Sequence, residues 1–171
     1  LSQVFEYEGA VFLTPRDYPA VIELDIQTGY MTEYEVPYLD MDRDKDEFAF
    51  GIGSAVYDGC IYIPRADQKA ILIFDMRKKI FSEKIIENAE AGFYSLINLG
   101  NEIWGIGNKT SEVICWNLAS DEVKLCRDFP EGFHGGVQPF RQIVETEDGM
   151  LVLPENANLT LCISRDLKDA Y

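Results

Sequence analysis

Histidine is almost missing from this chain: His134 is the only one. A lone imidazole cannot build a multi-histidine metal centre, which removes the commonest zinc, copper and non-haem iron constellations. Cysteine is scarce as well. Cys60, Cys115, Cys126 and Cys162 lie far apart, contain no Cys-x-x-Cys pair, and sit in or beside apolar runs such as Ile114-Cys115-Trp116. They read as buried thiols rather than metal ligands or a disulfide frame. Basic residues are few, with 15 Lys and Arg against 30 Asp and Glu and a net charge of −15. So large an acidic excess excludes nucleic acid and anionic membrane surfaces as expected partners, since both are polyanions. No run approaches the roughly 20 apolar residues of a membrane span, and Leu1-Ser2-Gln3-Val4 carries neither a basic nor an apolar leader segment. Helical periodicity is absent too: Phe81 to Ala91 comes nearest, but no stripe at i, i+3, i+4, i+7 is sustained. There is no phosphate-cradling glycine loop, nucleophile elbow or zinc-binding His-Glu helix, so neither cofactor nor metal is expected.

What is present is enough for one domain. The 171 residues are 47% apolar, and a chain of this size buries about 70% of its unfolded surface without staples. Reduced cysteines favour the cytoplasm. The first residue is Leu rather than Met, which suggests a processed or excised piece and leaves localisation otherwise open.

The dominant signal is self-similarity. Gly9, Gly59, Gly100 and Gly149 recur at intervals of about 40 to 50 residues, a spacing typical of repeat architectures. Each precedes a β-rich run: Ala10-Val11-Phe12-Leu13, Cys60-Ile61-Tyr62-Ile63, Glu102-Ile103-Trp104-Gly105-Ile106 and Met150-Leu151-Val152-Leu153. Pro15, Pro64 and Pro154 follow three of them, and proline cannot donate to a ladder. Further runs end at a constant distance in Asp25, Asp75, Asn117 and Asp166, side chains that accept hydrogen bonds from a turn's own backbone. Fourth runs, Tyr30 to Val36, Ile80 to Ile86 and Glu122 to Phe129, complete three copies, and the last copy has none. The expected fold is all-β: four four-stranded antiparallel units at about 2–48, 49–91, 92–138 and 139–171 within one domain, arranged as propeller blades with the last incomplete. A β-sandwich is the alternative.

In repeat length the arrangement resembles WD40-like and kelch-like β-propellers, although Trp-Asp and Gly-Gly are absent where those families place them. The segments 20–29 and 57–65 look most like a group of uncharacterised bacterial propeller proteins. The resemblance implies a fold and no particular activity. An incomplete last blade implies a fragment, a half-ring of a larger propeller, or one half of a homo-oligomer, because an open β-edge invites pairing.

In such a meander the second-to-third loops share a face with the connections between blades. That places Arg16, Asp17, Arg65, Asp67, Glu155 and Asn156 on one face, joined by Ser54, Tyr94, Ser95 and Arg141 leading into first strands and by His134 in Gly132-Phe133-His134-Gly135-Gly136. Arginine together with hydroxyl groups suits an anionic or sugar-like ligand. The expected function is a non-catalytic binding or scaffolding module presenting this face to a protein, a glycan or a small anionic ligand. The alternative is a propeller enzyme, of hydrolase or lyase type, acting on a glycan or small metabolite. Asp40-Met41-Asp42-Arg43-Asp44-Lys45-Asp46-Glu47 has calcium-loop spacing but Lys45 where the sharp-turn glycine belongs, so it reads as a solvated loop.

Overall fold

The computed structural model describes residues 1–37 and 48–171; the aspartate-rich run at 40–47 lies outside them. Among the described residues every regular element is a strand. Sheet one comprises β1 (Val4–Tyr7), β2 (Ala10–Leu13), β3 (Ala20–Asp25) and β4 (Met31–Glu35), and sheet two comprises β5 (Ala55–Tyr57), β6 (Cys60–Pro64), β7 (Ala70–Asp75) and β8 (Ile80–Ile85). Sheet three holds β9 (Phe93–Leu99), β10 (Glu102–Gly107), β11 (Val113–Asn117) and β12 (Val123–Cys126), and sheet four holds β13 (Phe140–Glu145), β14 (Met150–Pro154) and β15 (Leu161–Ile163). Each sheet is an antiparallel meander in chain order. In the last one Tyr171 exchanges backbone hydrogen bonds with Cys162, at 2.7 and 3.0 Å, so the tail begins a fourth pairing where the sequence pattern predicts none.

The turns follow from local chemistry. Glu8-Gly9 and Asp58-Gly59 both have positive φ at each central residue (50° and 82°; 43° and 73°), the type I′ geometry whose twist matches a tight hairpin. At the third-to-fourth turns the carboxylate Oδ1 of Asp25 accepts from Gln27 N and Thr28 N, both at 2.8 Å. Asp75 and Asn117 repeat the pattern with Arg77 and Lys78, and with Ala119 and Ser120. These backbone donors hold the Asp25 and Asp75 carboxyls below the usual carboxylate range. A depressed folded-state pKa gives stability that is present above the unfolded value and lost as pH falls through the folded one. Because Asn117 performs the same task without a charge, Asp75→Asn is expected to leave the thermal midpoint at neutral pH nearly unchanged and to reduce its fall on acidification, measured by circular-dichroism melts across the acid range.

Packing is between successive sheets. One core joins Phe12 and Val21 of sheet one to Ile61, Ile63, Leu72 and Phe74 of sheet two. A second joins Tyr62 and Ile71 to Phe93, Leu96, Ile103, Ile114 and Trp116, and a third joins Trp104, Ile106, Val113 and Cys115 to Phe140, Ile143, Val152 and Leu161. Sheet two is therefore buried on both faces, which explains its unbroken run Ala70-Ile71-Leu72-Ile73-Phe74: alternate residues serve opposite cores. Three separate seams between consecutive sheets are a propeller-like arrangement, and they dispose of the sandwich, which needs two sheets around one core.

The outer face of sheet one carries Val4, Val11, Leu13, Ile22, Leu24 and Met31 in register. Val4 and Met31 are 62% and 63% exposed. On the far side of sheet four, Val144, Leu151 and Cys162 line up in the same way.

Candidate functional site

The first strands of sheets three and four each start at a β-bulge. Ile106 and Gly107 face Ser95 and Phe93, leaving Tyr94 unpaired, while Pro154 and Leu153 face Phe140 and Gln142, leaving Arg141 unpaired. A bulge turns one side chain out of the alternation of its strand. Here the two extra residues meet: Arg141 Nη1 donates to Tyr94 Oη at 3.2 Å and pairs with Glu155 Oε2 at 3.4 Å. Burial is the largest cause pushing the Tyr94 phenol up, followed by the Glu155 charge, with Arg141 and Arg16 opposing. Arg16, Tyr94, Arg141 and Glu155, drawn from three sheets, thus converge on the loop face.

Beside this cluster lies a cavity of about 510 Å³, lined by Arg16, Phe48, Phe50, Ile52, Asp67, Lys69, Tyr94, Asn108, Lys109 and Thr110 among others. Its floor is made by close backbone approach between sheets two and three. Ile52 N donates to Tyr94 O at 2.7 Å and Leu96 N to Gly53 O at 2.7 Å. A Cβ at Gly51 would stand 2.1 Å from Tyr94 O, so only glycine permits this contact. Arg16 stacks over the Phe48 ring at 4.5 Å. Among the described residues neither Arg16 nor Lys69 has a carboxylate within ion-pair distance, whereas most other cations do. The acids of this cavity are engaged elsewhere: Asp67 holds Arg65, and Glu90 lies 3.6 Å from Arg127.

Other sequence-predicted residues take different places. Arg65 is fully buried, held by Asp67 through Nε at 2.9 Å and Nη2 at 3.0 Å, with Glu83 3.4 Å from Nη1 and the Phe50 ring beneath. It braces the cavity wall. Ser54 and Ser95 are buried at the seam of sheets two and three, away from the exposed Arg141, where Gly53 bridges Ser95 and Gln3 Oε1 accepts from Ser54 N. Asp17 is exposed and outside the cavity lining. Asn156 Oδ1 accepts from Gln138 N at 3.1 Å and so fixes the loop ahead of β13. His134 lines a separate, open hollow formed by Ser111 and the segment 127–136 that links β12 to β13.

The sequence pattern overlooked Lys69, Phe48 and Phe50. Lys69 was accessible to it, lying in the same loop as Arg65 and Asp67; Phe48 and Phe50 resemble any other apolar pair. It also missed Glu112, a wholly buried carboxylate whose Oε2 accepts from Arg127 Nε at 2.6 Å while Oε1 has no partner among the described residues. Burial is the largest cause raising its pKa, and Arg127 only partly offsets it. Among the described residues no three His, Cys, Asp or Glu side chains gather as a metal site.

Fold and site together define an all-β, propeller-like array of blades carrying on its loop face a cavity lined by Arg16 and Lys69 beside the rings of Phe48 and Phe50. Solved structures share this architecture. The chain aligns with a streptogramin B lyase structure at TM-score 0.75 and 20% identity, over 99% of this chain and 53% of that one. A virginiamycin B lyase from Staphylococcus aureus matches at TM-score 0.75 and 16% identity, over 98% and 53%. U3-55K matches at 0.64 and 10%, over 96% and 48%. At such identities the likeness shows the fold alone, and the chain spans about half the length of these structures. No family model and no curated protein matches the sequence.

Proposed function

We propose that this chain is a non-catalytic binding module whose loop-face cavity takes a small anionic or anionic-sugar ligand. The observation that carries the reading is the pair Arg16 and Lys69. In a chain with twice as many acids as bases, these two cations line one cavity and have no carboxylate partner among the described residues. A cation left without a counter-charge over an aromatic floor is arranged for an anion that brings an apolar or ring surface with it. The open faces of sheets one and four belong to the same reading: they suit further blades, supplied by the remainder of a larger propeller or by a second copy.

Isothermal titration with glucuronate and with inorganic phosphate tests the cavity. Saturable binding that falls at least about tenfold in the Arg16→Ala/Lys69→Ala double variant, and weakens with added salt, is the expected result. Binding unchanged in that variant would remove the reading.

One observation favours the competing reading, a lyase- or hydrolase-type propeller acting on a glycan or small metabolite. The Tyr94 phenol, its pKa raised by burial beside Arg141 and Glu155, is a group able to deliver a proton, and two of the matching structures are lyases. That reading requires turnover of the bound molecule; the binding reading does not.

A further inference from the structure

The open hollow that His134 lines shares no residue with the cavity holding Arg16 and Lys69. It measures about 620 Å³ and is bounded by Ser111, Arg127, Phe129, Pro130, Phe133, His134 and two glycines. Three features set it apart from an incidental surface hollow.

Among the described residues its lining contains no carboxylate, although Glu112 and Glu90 pair with Arg127 from outside it. Every polar side chain in it offers a donor. The His134 imidazole and the Ser111 hydroxyl make no hydrogen bond among the described residues, and the contacts of Arg127 to Glu112, Glu90 and Asn88 use Nε and Nη2.

Its apolar wall is an organised aromatic group. Phe129 and Phe133 stand 4.8 Å apart, and both pack on the buried Phe140 at 5.7 and 5.8 Å.

Its loop is fixed rather than draped. Asn158 clamps it three times: Oδ1 accepts from His134 N at 2.7 Å, the backbone N donates to His134 O at 3.1 Å, and Nδ2 donates to Gly132 O at 2.8 Å. Gly135 backs onto Ser111 so closely that a Cβ would lie 2.3 Å from its Oγ, and Gly136 holds a φ of 71° against Asn156. The backbone that carries His134 is thereby held in place before any ligand arrives, which lowers the ordering cost of binding.

We propose that this hollow, formed by residues 127–136 and Ser111, binds an aromatic carboxylate, its ring against Phe129 and Phe133 and its carboxylate received by His134, Ser111 and Arg127. A carboxylate accepts charge-assisted hydrogen bonds from all three donors. The paired rings of Phe129 and Phe133 with hydrogen-bond donors beside them suit a flat apolar body with one anionic end.

Because His134 is the only histidine, its imidazole proton resonances report this site alone in a one-dimensional NMR titration at fixed pH. Phenylacetate is expected to shift them saturably. Benzyl alcohol, which lacks the anion, and acetate, which lacks the ring, are each expected to bind at least about tenfold more weakly, and Ser111→Ala to weaken phenylacetate several-fold. The Arg16→Ala/Lys69→Ala variant is expected to retain the full response, and melting curves of each variant confirm folding. A linear, unsaturating shift, acetate matching phenylacetate, an unaffected Ser111→Ala, or loss of the response in the Arg16→Ala/Lys69→Ala variant would each overturn the proposal.

Discussion

Phe74→Ala is expected to cost about 3–5 kcal/mol, the usual range for deleting a fully buried phenylalanine. The side chain has no solvent exposure and is the hub of the first seam, with ring centroids 4.8 Å from Phe81, 5.2 Å from Tyr34 and 6.1 Å from Phe12. Phe81 lies in the same sheet, whereas Tyr34 and Phe12 belong to its neighbour, so the resulting void opens between two sheets rather than within one. Little can collapse into it, because both walls are hydrogen-bonded meanders whose strand positions are fixed by register. Chemical denaturation read by tryptophan fluorescence is the measurement. Trp104 and Trp116 belong to the other two seams, so an early loss of far-ultraviolet signal ahead of the fluorescence change would show sheet one releasing first. A loss below about 1 kcal/mol would mean that this seam is not packed as described.

Asp67→Ala is expected to cost about 3 kcal/mol or more, close to the value for breaking a buried ion pair by deleting one partner. The asymmetry of the pair is the reason. The Arg65 guanidinium has no exposure and is permanently charged, so without Asp67 that charge stays inside the protein with Glu83, 3.4 Å from Nη1, as its carboxylate contact among the described residues. Arg65→Met removes the charge and keeps the packing volume over Phe50, and it is expected to change stability by only about 1 kcal/mol in either direction. Comparing the two variants in the same denaturation assay separates the charge effect from loss of packing. Equal costs would show that Arg65 acts through its bulk alone. Since the 65–69 loop walls the loop-face cavity, Asp67→Ala is also expected to weaken ligand binding there, whereas Arg65→Met leaves Lys69 in place.

Much of the chain was readable before its structure. The runs that follow Gly9, Gly59, Gly100 and Gly149 are strands β2, β6, β10 and β14, and the Asp25, Asp75 and Asn117 turn signals close hairpins by the side-chain acceptance expected of them. These features are local: a hydrogen bond two or three residues away depends on residue type and spacing, which sequence records directly. Loop-face placement of Arg16, Tyr94, Arg141 and Glu155 also followed from counting strands, since alternate connections of a meander fall at the same end.

The pairings inside the face were not readable. Arg65 and Arg16 both follow a proline after their second strands, yet Arg16 lies one register position further on, where sheet two has Ala66; one is a buried strut held by Asp67 and Glu83, the other a cavity cation. Ser54 and Ser95 precede their hairpins much as Arg141 does, but they are buried where two glycine-bearing backbones touch.

The sequence by itself determined the strands, the turns, the fourfold repetition and the face on which the loops gather, since each depends on residues close together in the chain. Tertiary structure alone decided that bulges would bring Tyr94 and Arg141 together, that His134 would line a cavity of its own, and that Arg16 and Lys69 would line one cavity with no carboxylate partner among the described residues. Those outcomes depend on the angle and distance between separate sheets, which are set by how their apolar faces interlock across each seam.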